Sequence, residues 1–247
     1  MQNFFSINKK KIGDNYPTYF IADIAANHDG NLRKAIKLIY EAKKAGADAA
    51  KFQHFNADTI VSDSSFKRFK KQLSHQSKWK KSVFDVYNDA SLDLKWTPIL
   101  KKECDKVGID FFTSPYSFKL VDHVEKYIPA YKIGSGDITW LEIAKYIASK
   151  NKPYIIATGA SELSDVKRIY NSCLRINKKI SIMQCNTNYT GEDDNLNFIN
   201  LNVLKTYKKM FPKAILGLSD HTHGHATILG AITLGARIIE KHFTLNK

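Results

Sequence analysis

Eight short runs of apolar, β-branched and aromatic residues, each followed by helical or loop-forming sequence, constrain this chain more than anything else in it. They cover residues 19–25, 49–54, 110–114, 130–133, 154–158, 180–185, 215–219 and 237–243. Most are continuously apolar rather than alternating, the pattern of parallel strands covered on both faces. Between the first two, Leu32, Ala35, Ile36, Ile39 and Ala42 recur at helical spacing, and Gly46 follows where a left-handed cap costs little. Another helix begins at Leu201 and is closed by Phe211-Pro212. Strand and helix alternating eight times in 247 residues predict an α/β fold, a (β/α)8 TIM barrel forming a single domain over residues 1–247. A doubly wound open sheet is the competing arrangement. It calls for a Gly-rich dinucleotide turn after the first strand, and Asn27-His28-Asp29-Gly30 is not one. Residues 58–94 exceed an ordinary βα connection and are expected to carry a helix of their own and to roof the site.

Composition narrows the function classes. No uninterrupted apolar run approaches the ~20 residues that span a bilayer, and residues 1–5 lack the pattern of a secretory signal. A cytoplasmic location with no membrane partner is expected. Cys104, Cys173 and Cys185 are odd in number and widely spaced, which fits neither a disulfide framework nor a zinc knuckle. Cys185 reads as a buried thiol within an apolar strand. The net charge of +14 raises nucleic acid as a partner, and Lys67, Arg68, Lys70, Lys71, Lys78, Lys80 and Lys81 form a patch interleaved with Phe66, Phe69 and Trp79. The remaining lysines are spread over the outer faces of the helices, and no helix-turn-helix, zinc-finger or RNA-binding motif accompanies them. No nucleic-acid partner is expected; an anionic small substrate gains from the same field.

Polar residues collect where the strands stop, at the rim where a barrel carries its chemistry. The first strand contains Asp23 and runs into Asn27-His28-Asp29-Gly30. The second holds Lys51, Gln53 and His54, and the third ends Thr113-Ser114-Pro115. The fourth runs Lys132-Ile133-Gly134-Ser135-Gly136-Asp137, the fifth ends Thr158-Gly159-Ala160-Ser161, and the sixth ends Cys185-Asn186-Thr187-Asn188-Tyr189. The seventh gives Ser219-Asp220-His221-Thr222 and the eighth Glu240-Lys241-His242. Singly these are ordinary turn and cap residues; converging on one rim, they describe a site. Lys51 and Lys132 lie inside apolar strands, where burial is costly unless an anion pairs with them. His221 and His242 close adjacent strands, so their rings can supply part of a transition-metal site, with Asp220 and Glu240 as acceptors that fix the tautomers. Two core histidines satisfied by hydrogen bonds are the alternative. His75, His123, His223 and His225 read as solvated surface.

Five ordered segments then resemble the sialic acid synthase family: Ile21-Ala-Asp23-Ile-Ala-Ala-Asn27-His28-Asp29-Gly30, Ala-Gly46-Ala-Asp48-Ala-Ala-Lys51-Phe-Gln53, Tyr131-Lys132-Ile-Gly-Ser135-Gly-Asp137, Leu218-Ser219-Asp220-His221-Thr222 and Ile239-Glu240-Lys241-His242-Phe243-Thr244. The resemblance implies metal-dependent condensation of phosphoenolpyruvate with an N-acetylated amino sugar, giving a nine-carbon 2-keto acid and phosphate for surface polysaccharide synthesis. It implies that Lys51, Ser114, Lys132, Ser135, Thr158, Tyr189 and Ser219 hold phosphoenolpyruvate, and that His221 and His242 hold Mn²⁺ or Mg²⁺. It also implies that Gln53, Asn186, Asp23 and Asp137 face the sugar, with Asp23, Asp137, Lys51 and Lys132 as the catalytic set, and that the protein is a homodimer.

Departures from the family pattern bear on the sugar. Asp23 and Asp137 stand where the family usually has glutamate, and Cys185-Asn186-Thr187-Asn188-Tyr189 replaces the commoner Cys-Thr-Thr-Glu-Tyr. N-acetylmannosamine and a related 2,4-diacetamido sugar are therefore both candidate acceptors. Synthases that act on sugar phosphates use further arginines, and the five here, Arg33, Arg68, Arg168, Arg175 and Arg237, lie outside the rim motifs. Family members continue beyond the eighth strand into a closing helix and a small antifreeze-like domain. With Lys247 as the last residue, the expected architecture is a barrel lacking both, and the alternative function is a non-catalytic barrel that binds phosphoenolpyruvate, sugar or a partner without turnover.

Overall fold

Each of the eight expected runs is a strand in the computed structural model, which describes residues 3–68, 79–187 and 193–245. They are β3 (Tyr19–Ala25), β4 (Ala49–His54), β5 (Asp110–Pro115), β6 (Tyr131–Ile133), β7 (Tyr154–Ala157), β8 (Ile180–Cys185), β9 (Ile215–Asp220) and β10 (Ile238–His242). They form one sheet in the order β5-β4-β3-β10-β9-β8-β7-β6, and every ladder in it is parallel. Its two ends, β5 and β6, pack side by side without a ladder between them among the described residues, so the (β/α)8 barrel closes across a seam. No described helix is long and apolar enough to cross a membrane.

An antiparallel hairpin, β1 (Phe4–Ile7) with β2 (Lys10–Gly13), precedes the barrel and was not among the expected strands. Two strands of four residues joined at Asn8-Lys9 carry neither an Asn-Gly nor an Asp-Gly turn signal. Its apolar side chains plug the barrel floor: Phe5, Ile7 and Ile12 pack with Tyr19, Ile21, Phe112, Ile155 and Ile238 in a core separate from the one beneath the helices. With the floor sealed by side chains, a cavity inside the barrel can open only at the strands' C-terminal ends.

The helices follow from local sequence in the same way. Asn31 caps α1 (Leu32–Lys44) by accepting from the Lys34 amide, and Gly46 follows with φ +88°. Residues 57–68 and 79–94 carry α2 (Ala57–Ile60), α3 (Asp63–Arg68) and α4 (Val83–Ala90), the helical insertion expected over the site. After it come α5 (Trp96–Val107), α6 (Phe118–Glu125), α7 (Leu141–Ser149), α8 (Leu163–Leu174), α9 (Val203–Met210) and α10 (Ala226–Thr233). In the basic patch, Lys67 pairs with Asp63 and Lys81 with Asp89, as solvated surface charges do. Phe69, Lys70, Lys71, Lys78 and His75 lie outside the described residues.

Candidate active site

Strand alternation sets which side chains enter the barrel. On β4, Lys51 and Gln53 point inward while Phe52 joins the outer core. On β10, Glu240 and His242 point inward, and Lys241 between them turns to the outer side, where it pairs with Asp220. The β3–β4 ladder shifts register between Asp23 and Ala25, and Ala25 has φ +49°, a bulge that sets the Asp23 carboxylate toward the barrel axis.

These side chains line an inner chamber of about 370 Å³. The Lys51 ammonium lies 3.0 Å from Asp23 and 3.3 Å from Glu240, and Lys132 lies 3.2 Å from the other Glu240 oxygen. Ser219 donates to Glu240 at 3.1 Å. All four ionic residues are buried. Burial works against the Lys51 charge, but Asp23 and then Glu240 outweigh it and hold the ammonium well above its usual pKa. Burial likewise opposes the Glu240 charge, and Lys132 and Lys51 overcome it, keeping this carboxylate below its usual range. The formal charges cancel, so an anion entering the chamber needs countercharge from elsewhere or must displace Asp23 and Glu240 from the lysines.

Ser114, Ser135, Cys185 and Thr187 complete the inner wall with Gly134 and Gly136. Ser135 accepts from the Gly159 amide at 3.1 Å. A Cβ on Gly159 would collide with the Thr187 and Ser135 side chains, so glycine at this turn keeps the wall in place. Gln53, Tyr116, Gly136 and His242 also border an outer chamber of about 610 Å³. Its walls are Phe55, Ile60, Val61, Phe66, Val83, Tyr87 and Trp140, from the helical insertion and neighbouring loops, together with Asp137. Burial raises the Asp137 carboxyl to about 6 against the opposing pull of Lys132. A raised carboxyl binds more protons folded than unfolded between its two pKa values, so its contribution falls as pH rises from about 4 to 6. Asp137→Asn is expected to leave stability unchanged below pH 4 and to raise it by on the order of 1–2 kcal/mol above pH 6. Melting temperature measured against pH checks this.

His221 and His242 converge on the inner wall with ring centroids 5.1 Å apart, and Asp23 lies 3.6 Å from His242. Burial and then His242 push His221 down to about 4, so its ring is neutral at pH 7. Asp23 Oδ1 is buried without a hydrogen-bond partner. Two imidazoles beside a carboxylate that keeps one oxygen unsatisfied fit a divalent cation with open positions for other ligands. Among the described residues, no three His, Cys, Asp or Glu converge closely enough to hold a metal by themselves, so water or substrate oxygens would complete the set. His242 is held in place by its neighbours: the Phe243 amide donates to the Asp23 carbonyl, and Asn27 donates to the Phe243 carbonyl, both at 2.9 Å.

Asp23, Lys51, Gln53, Ser114, Lys132, Ser135, Ser219, His221 and His242 thus share the inner chamber, and Asp137 lines the outer one. Thr158 does not join them. Ala157 faces the chamber, so its neighbour turns outward, where Thr158 donates to the Met183 carbonyl and accepts from Tyr207 of α9. Asn186 is also directed elsewhere, donating to Asn195 at 2.9 Å, and Asn195 reaches the His221 carbonyl. Tyr189 lies outside the described residues. Two further expectations are corrected. Glu240 serves the lysines, and Asp220 is engaged by Thr222 and Lys241, so neither acts mainly as a histidine acceptor. Cys185 is a chamber residue whose sulfur lies 3.9 Å from His221. Tyr116, shared by both chambers, was absent from the expected set; its position just after the third strand's Ser114-Pro115 end was the available signal.

A profile of the NeuB family matches residues 38–247. An N,N'-diacetyllegionaminic acid synthase of Campylobacter jejuni is 36% identical over 93% of this chain and 68% of its own length. The human N-acetylneuraminate-9-phosphate synthase is 31% identical over 96% of this chain and 64% of its own. The crystal structure of an N-acetylneuraminic acid synthetase from Leptospira borgpetersenii, in complex with citrate, superposes with a TM-score of 0.86 at 25% identity, covering all of this chain and 80% of that one. The chain spans about two thirds of the length of the curated relatives it matches.

Proposed function

The chain belongs to the NeuB family, the sialic acid synthases, and from that membership we propose that it condenses phosphoenolpyruvate with an N-acylated amino sugar, releasing phosphate. The observation that carries this reading is the inner chamber: two buried lysines on rigid strands, ringed by serine hydroxyls, opening onto a larger outer chamber walled by aromatic and aliphatic side chains. The first suits a small dianion, and the second suits an acceptor whose acyl methyl groups gain from burial.

Lys51 and Lys132 bind the phosphate and carboxylate of phosphoenolpyruvate, with Ser114, Ser135 and Ser219 as hydroxyl partners. Gln53 and Tyr116, at the junction of the chambers, orient the open-chain aldehyde over the methylene carbon. Carbon–carbon bond formation leaves C2 electron-deficient; water adds there, and the tetrahedral adduct loses phosphate with cleavage of the C–O bond. Asp137, raised to about 6, is suited to exchange a proton with the acceptor oxygen near neutral pH. The fixed lysines stabilise the departing phosphate without reorganising. His221 and His242, with Asp23 beside them, would hold Mn²⁺ or Mg²⁺, which supplies Lewis-acid polarisation of the acceptor carbonyl and part of the countercharge the anion needs.

A phosphate-release assay with phosphoenolpyruvate, Mn²⁺ and a panel of N-acetylmannosamine and 2,4-diacetamido sugars tests the proposal. Release that depends on one of the sugars is expected. Phosphoenolpyruvate binding without release for any sugar would favour a non-catalytic barrel.

A further inference from the structure

Behind the site, on the outer side of the barrel, a polar cluster interrupts an apolar layer. His54 is fully buried at the end of β4 and turned away from the chambers. Its Nδ1 lies 2.7 Å from the Thr113 hydroxyl on β5, and its Nε2 lies 2.8 Å from the Thr97 hydroxyl in the first turn of α5. His123 of α6, half-buried rather than solvated, joins the same Thr97 hydroxyl at 3.1 Å. The His54 carbonyl accepts from the Tyr116 amide at 3.0 Å. One residue therefore links β4, β5 and α5 directly, and α6 through Thr97.

We propose that His54 is a positioning residue that fixes the acceptor end of the site. Its chain neighbours Gln53 and Phe55, and Tyr116 bonded to its carbonyl, all line the outer chamber. The barrel's topology makes such a link useful. β5 is an end strand of the sheet, laddered to β4 on one side and facing the seam with β6 on the other. Among the described strands, the tip carrying Ser114 and Tyr116 is therefore laddered to β4 alone, and the His54–Thr113 bond ties the two strands on the outer face at the level of the site. Burial pushes the His54 ring down to about 3, with His123 and His28 adding to the effect, so the imidazole is neutral and offers one donor and one acceptor. The hydroxyls of Thr97 and Thr113 can each take either role. An apolar side chain could fill this layer, as Phe52 does, without the desolvation cost of a polar cluster; what the cluster adds is direction. Lys51 and Lys132, the charged partners of the anion, are tied independently to Asp23 and Glu240, so the anion end depends on His54 only through the Ser114 hydroxyl.

This inference rests on the outer chamber being the acceptor's place. The test measures KM for the sugar and binding of phosphoenolpyruvate separately in His54→Phe and in the isosteric Thr113→Val, with thermal melting alongside. Sugar KM is expected to rise about tenfold, since small misplacements of a reacting partner are costly, while phosphoenolpyruvate affinity stays within about twofold. His54→Asn, able to reach Thr113 but not Thr97, recovers part of the loss. Equal weakening of both substrates, or an unchanged sugar KM in correctly folded variants, overturns the inference. If His54→Phe does not fold, Thr113→Val decides. A parent protein that releases no phosphate with any sugar refutes the functional reading instead, and is distinguished by that control.

Discussion

Lys132→Met is expected to lower kcat/KM by about a thousandfold and to destabilise the fold by roughly 3 kcal/mol. The two effects have different origins. Stability falls because Glu240, buried and paired with Lys132 at 3.2 Å, is left with Lys51 and Ser219 alone. Activity is expected to fall because, in the proposed reaction, the phosphoenolpyruvate anion and the departing phosphate lose a charge fixed in place before the reaction begins. Adding Glu240→Gln separates them. In Lys132→Met/Glu240→Gln the chamber regains formal neutrality, so most of the stability returns while turnover stays low. Urea melts and steady-state kinetics on the two variants give the comparison. Activity that returns together with stability would make Lys132 a structural ion-pair partner only.

Under the proposed function, His242→Ala is expected to abolish the response to divalent metal and to lower turnover by about a hundredfold or more, the loss of several kcal/mol of carbonyl polarisation. The ring stands 5.1 Å from that of His221 and 3.6 Å from Asp23, the other groups of the proposed metal site. Electron paramagnetic resonance of Mn²⁺ reads the site without relying on activity. The parent protein is expected to remove signal of the aqueous ion, and the variant to leave it in solution. Turnover surviving His242→Ala undiminished would sink the metal assignment.

The barrel was legible because parallel strands buried on both faces leave continuous apolar runs, and β3, β4 and β8 coincide with the expected residues. The hairpin beneath it left no comparable trace, since its strands are short and its lysine-rich turn reads as surface. Within the site, a lysine in an apolar strand was a strong signal, and Lys51 and Lys132 face the chamber. Strand ends are less informative, because one step along the backbone reverses the side chain: Ala157 lines the chamber and Thr158 faces α9. The same alternation made Glu240 a lysine partner and hid His54, whose role depends on threonines 43 and 59 residues away in sequence. Contacts of that range cannot be read from local pattern.

Phosphoenolpyruvate labelled with ¹⁸O at its bridging oxygen tests the condensation most directly. The protein is incubated with it, Mn²⁺ and the accepted amino sugar, and both products are weighed by mass spectrometry. The label is expected in the released phosphate, together with a new acid that carries three more carbons than the sugar. Label retained in pyruvate, with no sugar-derived acid formed, would contradict the proposed reaction.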